Sequence, residues 1–193
     1  MRKIDENKKE AISQAVFQLT KEVGLVGLSI AKVAKIAGVS PATIYIYYKD
    51  KTDMLGSILI EVKDLLDDGD TEAISQAGEN PLAQLKNYLR FMITSWSNNP
   101  RETLFMREAL ENPSEISTEG LAYSMKRAEI IVALYNRLLE AKIIKDYPVD
   151  LLLTWSASAI SLVLTSHARS GTGPSEKEID QMIELSVDAL ILH

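Results

Sequence analysis

Apolar residues recur every three to four positions along most of the chain, and no strict alternation persists long enough to predict a strand. Ile12, Ala15, Val16, Leu19 and Val23 share one face of a first helix, with Gly24 placed to cap its C-terminus. Ser29 caps a short second helix that ends at Gly38. Ser40 and Pro41 open a third, a capping hydroxyl followed by proline at the first helical position. Met54, Leu55, Ile58, Leu59, Val62, Leu65 and Leu66 form the stripe of a fourth, which fades into Asp67-Asp68-Gly69-Asp70. The pattern weakens over residues 71–80, as in a loop or frayed helix. Asn80-Pro81 restarts a helix to about Ser97, and Asn99-Pro100 starts another that ends near Asn112-Pro113. One long helix is predicted from about Thr118 to Lys142. Tyr147-Pro148 precedes a helix to about Ala168, and Gly171, Gly173 and Pro174 make a turn. Ser175 and Glu178 have capping-box spacing for a last helix reaching Leu192. The fold class is all-α, with no internal repeat.

The short second and third helices carry the most specific signal. Ala34 is small where two crossing helices touch, Gly38 supplies a turn that side chains resist, and Val39 and Ile44 face inward. Steps of four, one and five residues separate these positions, the arrangement of a helix-turn-helix whose second helix enters a major groove. Tyr45, Tyr47, Tyr48, Lys49 and Lys51 follow. A tyrosine ring packs on sugar or a thymine methyl and its hydroxyl bonds phosphate, so Tyr45 and Tyr47 read as DNA-facing. Tyr48, four residues after Ile44 on the same face, reads as core. Lys51 sits where the next helix begins, within reach of the phosphate backbone.

Charge agrees with that placement. The 193-residue chain has a net charge of −6, but residues 1–51 hold nine basic and five acidic side chains, a net +4, leaving the remainder at −10. A basic head on an acidic body suits a protein of which only the head meets phosphate. The absence of cysteine excludes disulfides and thiolate metal or redox sites. Two histidines, His167 and His193, build neither a triad nor a multi-histidine metal site, so no metal and no cofactor are expected. Arg2 and Lys3 are followed by Asp5, Glu6 and Glu10 rather than an apolar core, which predicts no secretory signal and a cytoplasmic protein.

Residues 8–59 resemble the N-terminal domain of TetR-family transcriptional regulators. The likeness rests on the first amphipathic helix, the glycine before Leu25, and Ile30-x-x-Val33-Ala34-x-x-Ala37-Gly38-Val39-Ser40. It continues through Thr43-Ile44-Tyr45-x-Tyr47-Tyr48-x-x-Lys51 and Leu55. The resemblance implies a three-helix DNA-binding domain over residues 1–51 and a larger helical ligand-binding and dimerisation domain over residues 52–193. By position it assigns Pro41, Ala42 and Tyr45 to base edges and Thr43, Tyr47 and Lys51 to phosphate. Lys32, on the preceding helix, could add a base or phosphate contact. Pro41 and Ala42 depart from the family's habit of placing a polar reader there, which shifts readout toward thymine methyls. The implied partners are double-stranded DNA, a second copy of the chain and a small-molecule effector.

The body carries no motif of comparable strength. The helix over residues 151–168 is apolar or small around most of its circumference, so it needs cover on both sides. Leu152, Trp155, Ala159 and Leu162 are placed on one face, Leu151, Ser158 and Val163 on another. A membrane span is rejected because four serines and two threonines interrupt it. With Ile179, Met182, Ile183, Val187 and Leu190 on the last helix, it predicts an intersubunit four-helix bundle. Leu151, Trp155, Ser158, Leu162, Val163, Met182, Ile183, Val187 and Leu190 are the expected interface. Tyr88, Phe91, Met92, Trp96, Phe105, Tyr123 and Tyr135 are candidates for an apolar ligand cavity, with ordinary core as the alternative for each.

A ligand-responsive repressor is the leading function. A ligand sink whose DNA head has drifted is the alternative that the apolar Pro41-Ala42 tip sustains. Nothing marks an enzyme: there is no nucleophile elbow, phosphate loop or metal cluster, and no carboxylate pair stands out by spacing.

Overall fold

A computed structural model of the chain describes residues 5–192. Its helices are α1 (Glu6–Val23), α2 (Ile30–Ala37), α3 (Pro41–Tyr47), α4 (Lys51–Asp67), α5 (Asp70–Ser75) and α6 (Pro81–Asn98). They continue as α7 (Pro100–Glu111), α8 (Thr118–Arg127), α9 (Glu129–Glu140), α10 (Val149–Ser170) and α11 (Glu176–Leu190), with a 3₁₀ turn at Pro113–Glu115 before α8. Among the described residues no strand forms; one antiparallel bridge joins Ile144 to Ile191. The chain is all-α, as its periodicity predicts.

The helices pack as two units. The first is Met1–Leu65 with Arg101–Lys126, and the second is Leu66–Pro100 with the chain from Arg127 onward. The packing boundary therefore does not fall after residue 51: most of α4, together with α7 and α8, belongs with the helix-turn-helix.

In the first unit α1 packs on α2 and α2 on α3. Ile12, Val16, Leu25, Val33, Ile44, Met54, Leu55, Ile58 and Leu59 are all buried there, each stabilising the fold by about 1.5–3 kcal/mol relative to exposure. Phe17 of α1 meets Phe105 of α7 edge to face, with ring centroids 5.6 Å apart. Two glycines let α4 and α8 touch at the backbone. A Cβ on Gly120 would lie 2.7 Å from Gly56 Cα and 2.8 Å from its carbonyl oxygen. The Ser117 N–H donates to the Thr52 carbonyl at 3.1 Å and closes the same contact.

In the second unit α6 packs against α5, α9, α10 and α11. Leu85, Leu89, Met92 and Ile93 of α6 join Leu134 and Leu138 of α9, Leu152, Ile160 and Leu164 of α10, and Ile179, Met182, Ile183, Val187 and Leu190 of α11. The buried Tyr135 hydroxyl and Ser156 Oγ lie 3.0 Å apart, and Ser156 donates back to the Leu152 carbonyl. Such pairing removes the cost of burying a hydroxyl. Arg90 of α6 reaches Glu176 and Asp180 at the start of α11. Ser175 and Glu178 form the expected capping box, and the bonds from the Ser175 backbone N–H and hydroxyl hold the Glu178 carboxyl below its usual pKa.

Three expectations are corrected. The long helix predicted over residues 118–142 breaks at Ala128, where the chain passes from the first unit to the second. Arg127 marks the second side, donating to the Asp67 carbonyl at 3.1 Å. The faces of α10 also sort differently. Leu152 lies with Ser156, Ile160 and Leu164 on the buried side, whereas Trp155 and Leu162 lie with Leu151, Ser158, Ala159 and Val163 on the exposed side. Finally, Met182, Ile183, Val187 and Leu190 do not face outward for a partner. They are buried in their own subunit, because the single apolar stripe of α11 is needed to cover α6. The exposed side of α11 carries Leu185 and Ala189, with Leu192 just beyond.

The backbone contact at Gly56 and Gly120 predicts that Gly120→Ala destabilises the protein by about 1–3 kcal/mol, through overpacking against backbone that cannot turn aside. Gly173→Ala, which meets open space, should leave urea and thermal unfolding unchanged. Equal midpoints for the two variants would refute the close approach.

Candidate nucleic-acid interface

The presentation of α3 is built from local chemistry. Ser29 accepts from the Lys32 N–H and caps α2, which ends at Gly38 with φ 68° and ψ 28°, the left-handed conformation that glycine adopts without strain. The Val39 N–H donates back to the Ala34 carbonyl at 3.0 Å and tightens the turn. Ser40 then caps α3 by accepting from the Thr43 N–H at 3.1 Å, with Pro41 at the first helical position. Ile44 and Ala34 are buried, which sets which face of α3 turns inward. The opposite face presents Pro41, Ala42, Tyr45 and Ile46, the last two each 57% exposed. Sequence reasoning passed over Ile46; its position four residues after Ala42 was the available signal.

Tyr48 separates from Tyr45 and Tyr47 in burial, in the core place that its spacing from Ile44 predicts. Tyr48 is 3% exposed and lies in the core, and its hydroxyl has no hydrogen-bond partner among the described residues. Burial first, and then the negative charges of Glu61 and Asp53, push its pKa well above the usual tyrosine value, so the hydroxyl stays neutral. Tyr45 is exposed and Tyr47 half-buried. The Thr43 hydroxyl lies 2.9 Å from that of Ser40.

A second cap positions Lys51. Asp50 Oδ1 accepts from the Asp53 N–H at 2.9 Å and the Thr52 hydroxyl at 2.8 Å, and those two bonds hold its carboxyl below the usual range. Asp53 reaches back to accept from the Lys49 N–H at 2.8 Å. The first residue of α4 is thereby fixed. Its ammonium forms a 2.6 Å ion pair with Glu115 of the 3₁₀ turn, a partner 64 positions away that sequence reasoning did not find. Lys32 is exposed, and its ammonium donates to the Gly27 carbonyl at 2.7 Å. From Val23 to Lys49 the chain has no aspartate or glutamate and three lysines, Lys32, Lys35 and Lys49, so the segment presents positive charge without internal neutralisation.

The ligand candidates divide between the two units. Phe105 is fully buried against Phe17, and Tyr123 bonds Asp64; both belong to the first unit. Tyr88, Phe91, Met92, Trp96 and Tyr135 belong to the second, with Met92 and Tyr135 buried in its core and the other three half-buried on α6. Burial, and then the charge of Asp67, raise the Tyr88 pKa far above its ordinary value. A groove on the first unit is lined by Gln14, Gln18, Lys21, Ile36 and Arg101 and by none of these candidates except through Phe17, the ring that covers Phe105.

Because its hydroxyl is buried without a partner among the described residues, Tyr48→Phe should stabilise the protein by about 1 kcal/mol. Tyr45→Phe should leave urea unfolding unchanged. A loss of stability in Tyr48→Phe would mean that the hydroxyl is satisfied.

Residues 12–58 match the family described as "Bacterial regulatory proteins, tetR family". The HTH-type transcriptional regulator AcrR of Shigella flexneri is 24% identical over 151 residues, 75% of this chain and 68% of that protein. The HTH-type transcriptional regulator BetI of Stenotrophomonas maltophilia is 28% identical over 79 residues; the match spans 41% of this chain and 40% of that relative's length. The crystal structure of a TetR family transcription regulator from Marinobacter aquaeolei VT8 shares the fold over the whole of both chains, with a TM-score of 0.82 and 23% identity. The helix-turn-helix segment is thus similar in sequence to the tetR family of bacterial regulatory proteins, and the described helices follow the same fold as a TetR family transcription regulator.

Proposed function

We propose that the protein is a repressor that binds a palindromic operator as a homodimer and leaves it when a small-molecule effector binds. The observation that carries the reading is the outward face of α3, held rigidly by two caps and a buried isoleucine inside a stretch free of acidic side chains. Pro41, Ala42 and Tyr45 meet base edges, while Thr43, Tyr47, Lys51 and Lys32 position the helix on the backbone. Lys51 turns from Glu115 to phosphate on binding, or holds both with separate N–H groups.

Two recognition helices must lie about 34–36 Å apart to meet successive major grooves, which requires a symmetric dimer. The exposed side of α10 supports one: Leu151, Trp155 (66% exposed), Leu162 (65%) and Val163 form a largely apolar stripe broken by Ser158. By length and composition α10 could also cross a bilayer, but its face is interrupted by serine and threonine, and a second copy covers it without lipid. The effector is apolar or aromatic and enters the second unit near Tyr88, Phe91 and Trp96. It releases DNA by binding more tightly to dimers whose heads are wrongly spaced.

Lys51→Ala should weaken specific and nonspecific DNA binding alike and reduce the dimer's log-log salt slope by about two units. Glu115→Gln, which frees the ammonium, should tighten binding by up to about fivefold at low salt, as removal of a partly exposed ion pair allows. Anisotropy titrations across a salt series decide both, and an unchanged slope in Lys51→Ala removes it from the interface. Leu162→Asp should give a folded monomer by sedimentation, since the side chain is exposed within one chain and buried only between two. A dimer that survives the substitution places the interface elsewhere.

A further inference from the structure

The polar groups available to the reading face are unusually few, and this defines what it can recognise. Arginine and lysine read guanine, asparagine and glutamine read adenine, and aspartate and glutamate read cytosine, each by hydrogen bonds to base edges. From Val23 to Lys49 the chain contains no histidine and, of these types, only Lys32, Lys35 and Lys49, none of which lies on α3. The hydroxyls that remain on α3 are largely engaged elsewhere. Those of Ser40 and Thr43 face each other at 2.9 Å, and Ser40 also caps the helix. Tyr48 is buried. Lys32 is tied to the Gly27 carbonyl. On the outward face itself Pro41, Ala42 and Ile46 offer only carbon, and the Tyr45 hydroxyl is the single side-chain polar group.

We propose that Ile46 joins Pro41, Ala42 and Tyr45 in an apolar reading surface that selects operator half-sites by the 5-methyl groups of thymine. This rests on the DNA-binding reading above and names the base feature that it uses. Thymine is the one base that presents a methyl group in the major groove, so a carbon surface there discriminates by burying that methyl. The surroundings fit DNA as the occupant. Lys35 and Lys49 are exposed on the same helix-turn-helix with no carboxylate between them, a flank suited to phosphate. Ile46 is 57% exposed in the free chain and needs no other cover within it.

The test uses the full-length protein and a randomised duplex library. The tightest duplex retained is resynthesised with deoxyuridine in place of thymidine, first throughout and then one position at a time. Deoxyuridine keeps the base pairing and removes only the methyl. Each methyl that is read should cost about fourfold in affinity, the worth of one buried methylene. At least one such position is expected in each half-site. Ile46→Ala, whose side chain is not part of the core, should lose affinity for the thymidine duplex, keep the salt slope, and lose sensitivity to deoxyuridine at one of those positions. A duplex that binds equally well with deoxyuridine throughout overturns the proposal while leaving DNA binding intact. An Ile46→Ala variant with undiminished sensitivity at every position removes Ile46 from the surface. A library from which no duplex is retained overturns the DNA-binding reading and this one with it.

Discussion

A helix of seven residues does not hold itself together in water, because the cost of its first turn is not recovered over so short a length. The presentation of α3 therefore depends on what fixes it from outside: Ile44 buried on one side, the Ser40 hydroxyl on the free N–H of Thr43, and Gly38 turning the chain in a left-handed conformation that glycine adopts without strain. These are the residues most constrained by sterics and hydrogen bonding. Ala42, Tyr45 and Ile46, exposed on the opposite face, are free of such duties.

The same economy continues at the start of α4. Asp50 and Asp53 satisfy backbone N–H groups reciprocally across the turn from Lys49, and in doing so orient Lys51. The Lys51 ammonium meets Glu115, so the first unit carries its own competitor for the charge assigned to phosphate. Close backbone contact between Gly56 and Gly120 places that carboxylate, because the 3₁₀ turn holding Glu115 leads directly into α8. A feature of helix packing thus bears on electrostatics at the candidate interface.

In the second unit α6 is the element around which α5, α9, α10 and α11 are arranged. Its needs decide the roles of the others. α11 has one apolar stripe and turns it inward, leaving little for a partner. α10 is apolar on two sides, so it covers α6 and α9 with Leu152, Ile160 and Leu164 and still presents Leu151, Trp155, Leu162 and Val163. The buried Tyr135–Ser156 pair shows why an aromatic on a central helix is not by itself a ligand contact: its hydroxyl already has a partner.

The sequence by itself determined the motif and most of the elements. Caps, prolines and glycines act within four or five residues, so Ser29, Gly38, Ser40-Pro41 and Ser175 with Glu178 were legible without any tertiary information. The inward place of Ile44 and Tyr48 followed from helical spacing alone. Only the tertiary structure decided matters that depend on which surface an element meets. An apolar-sided helix such as α10 has no periodicity to say which stripe faces its own chain. A break at Ala128 leaves no proline or glycine behind when it arises from a change of packing partner. The assignment of Phe105 to the first unit and Met92 to the second depends on which segments fold together, not on their shared apolar character. Lys51 and Glu115 are brought together by chain reversal over 64 positions, and no local rule encodes a contact at that range.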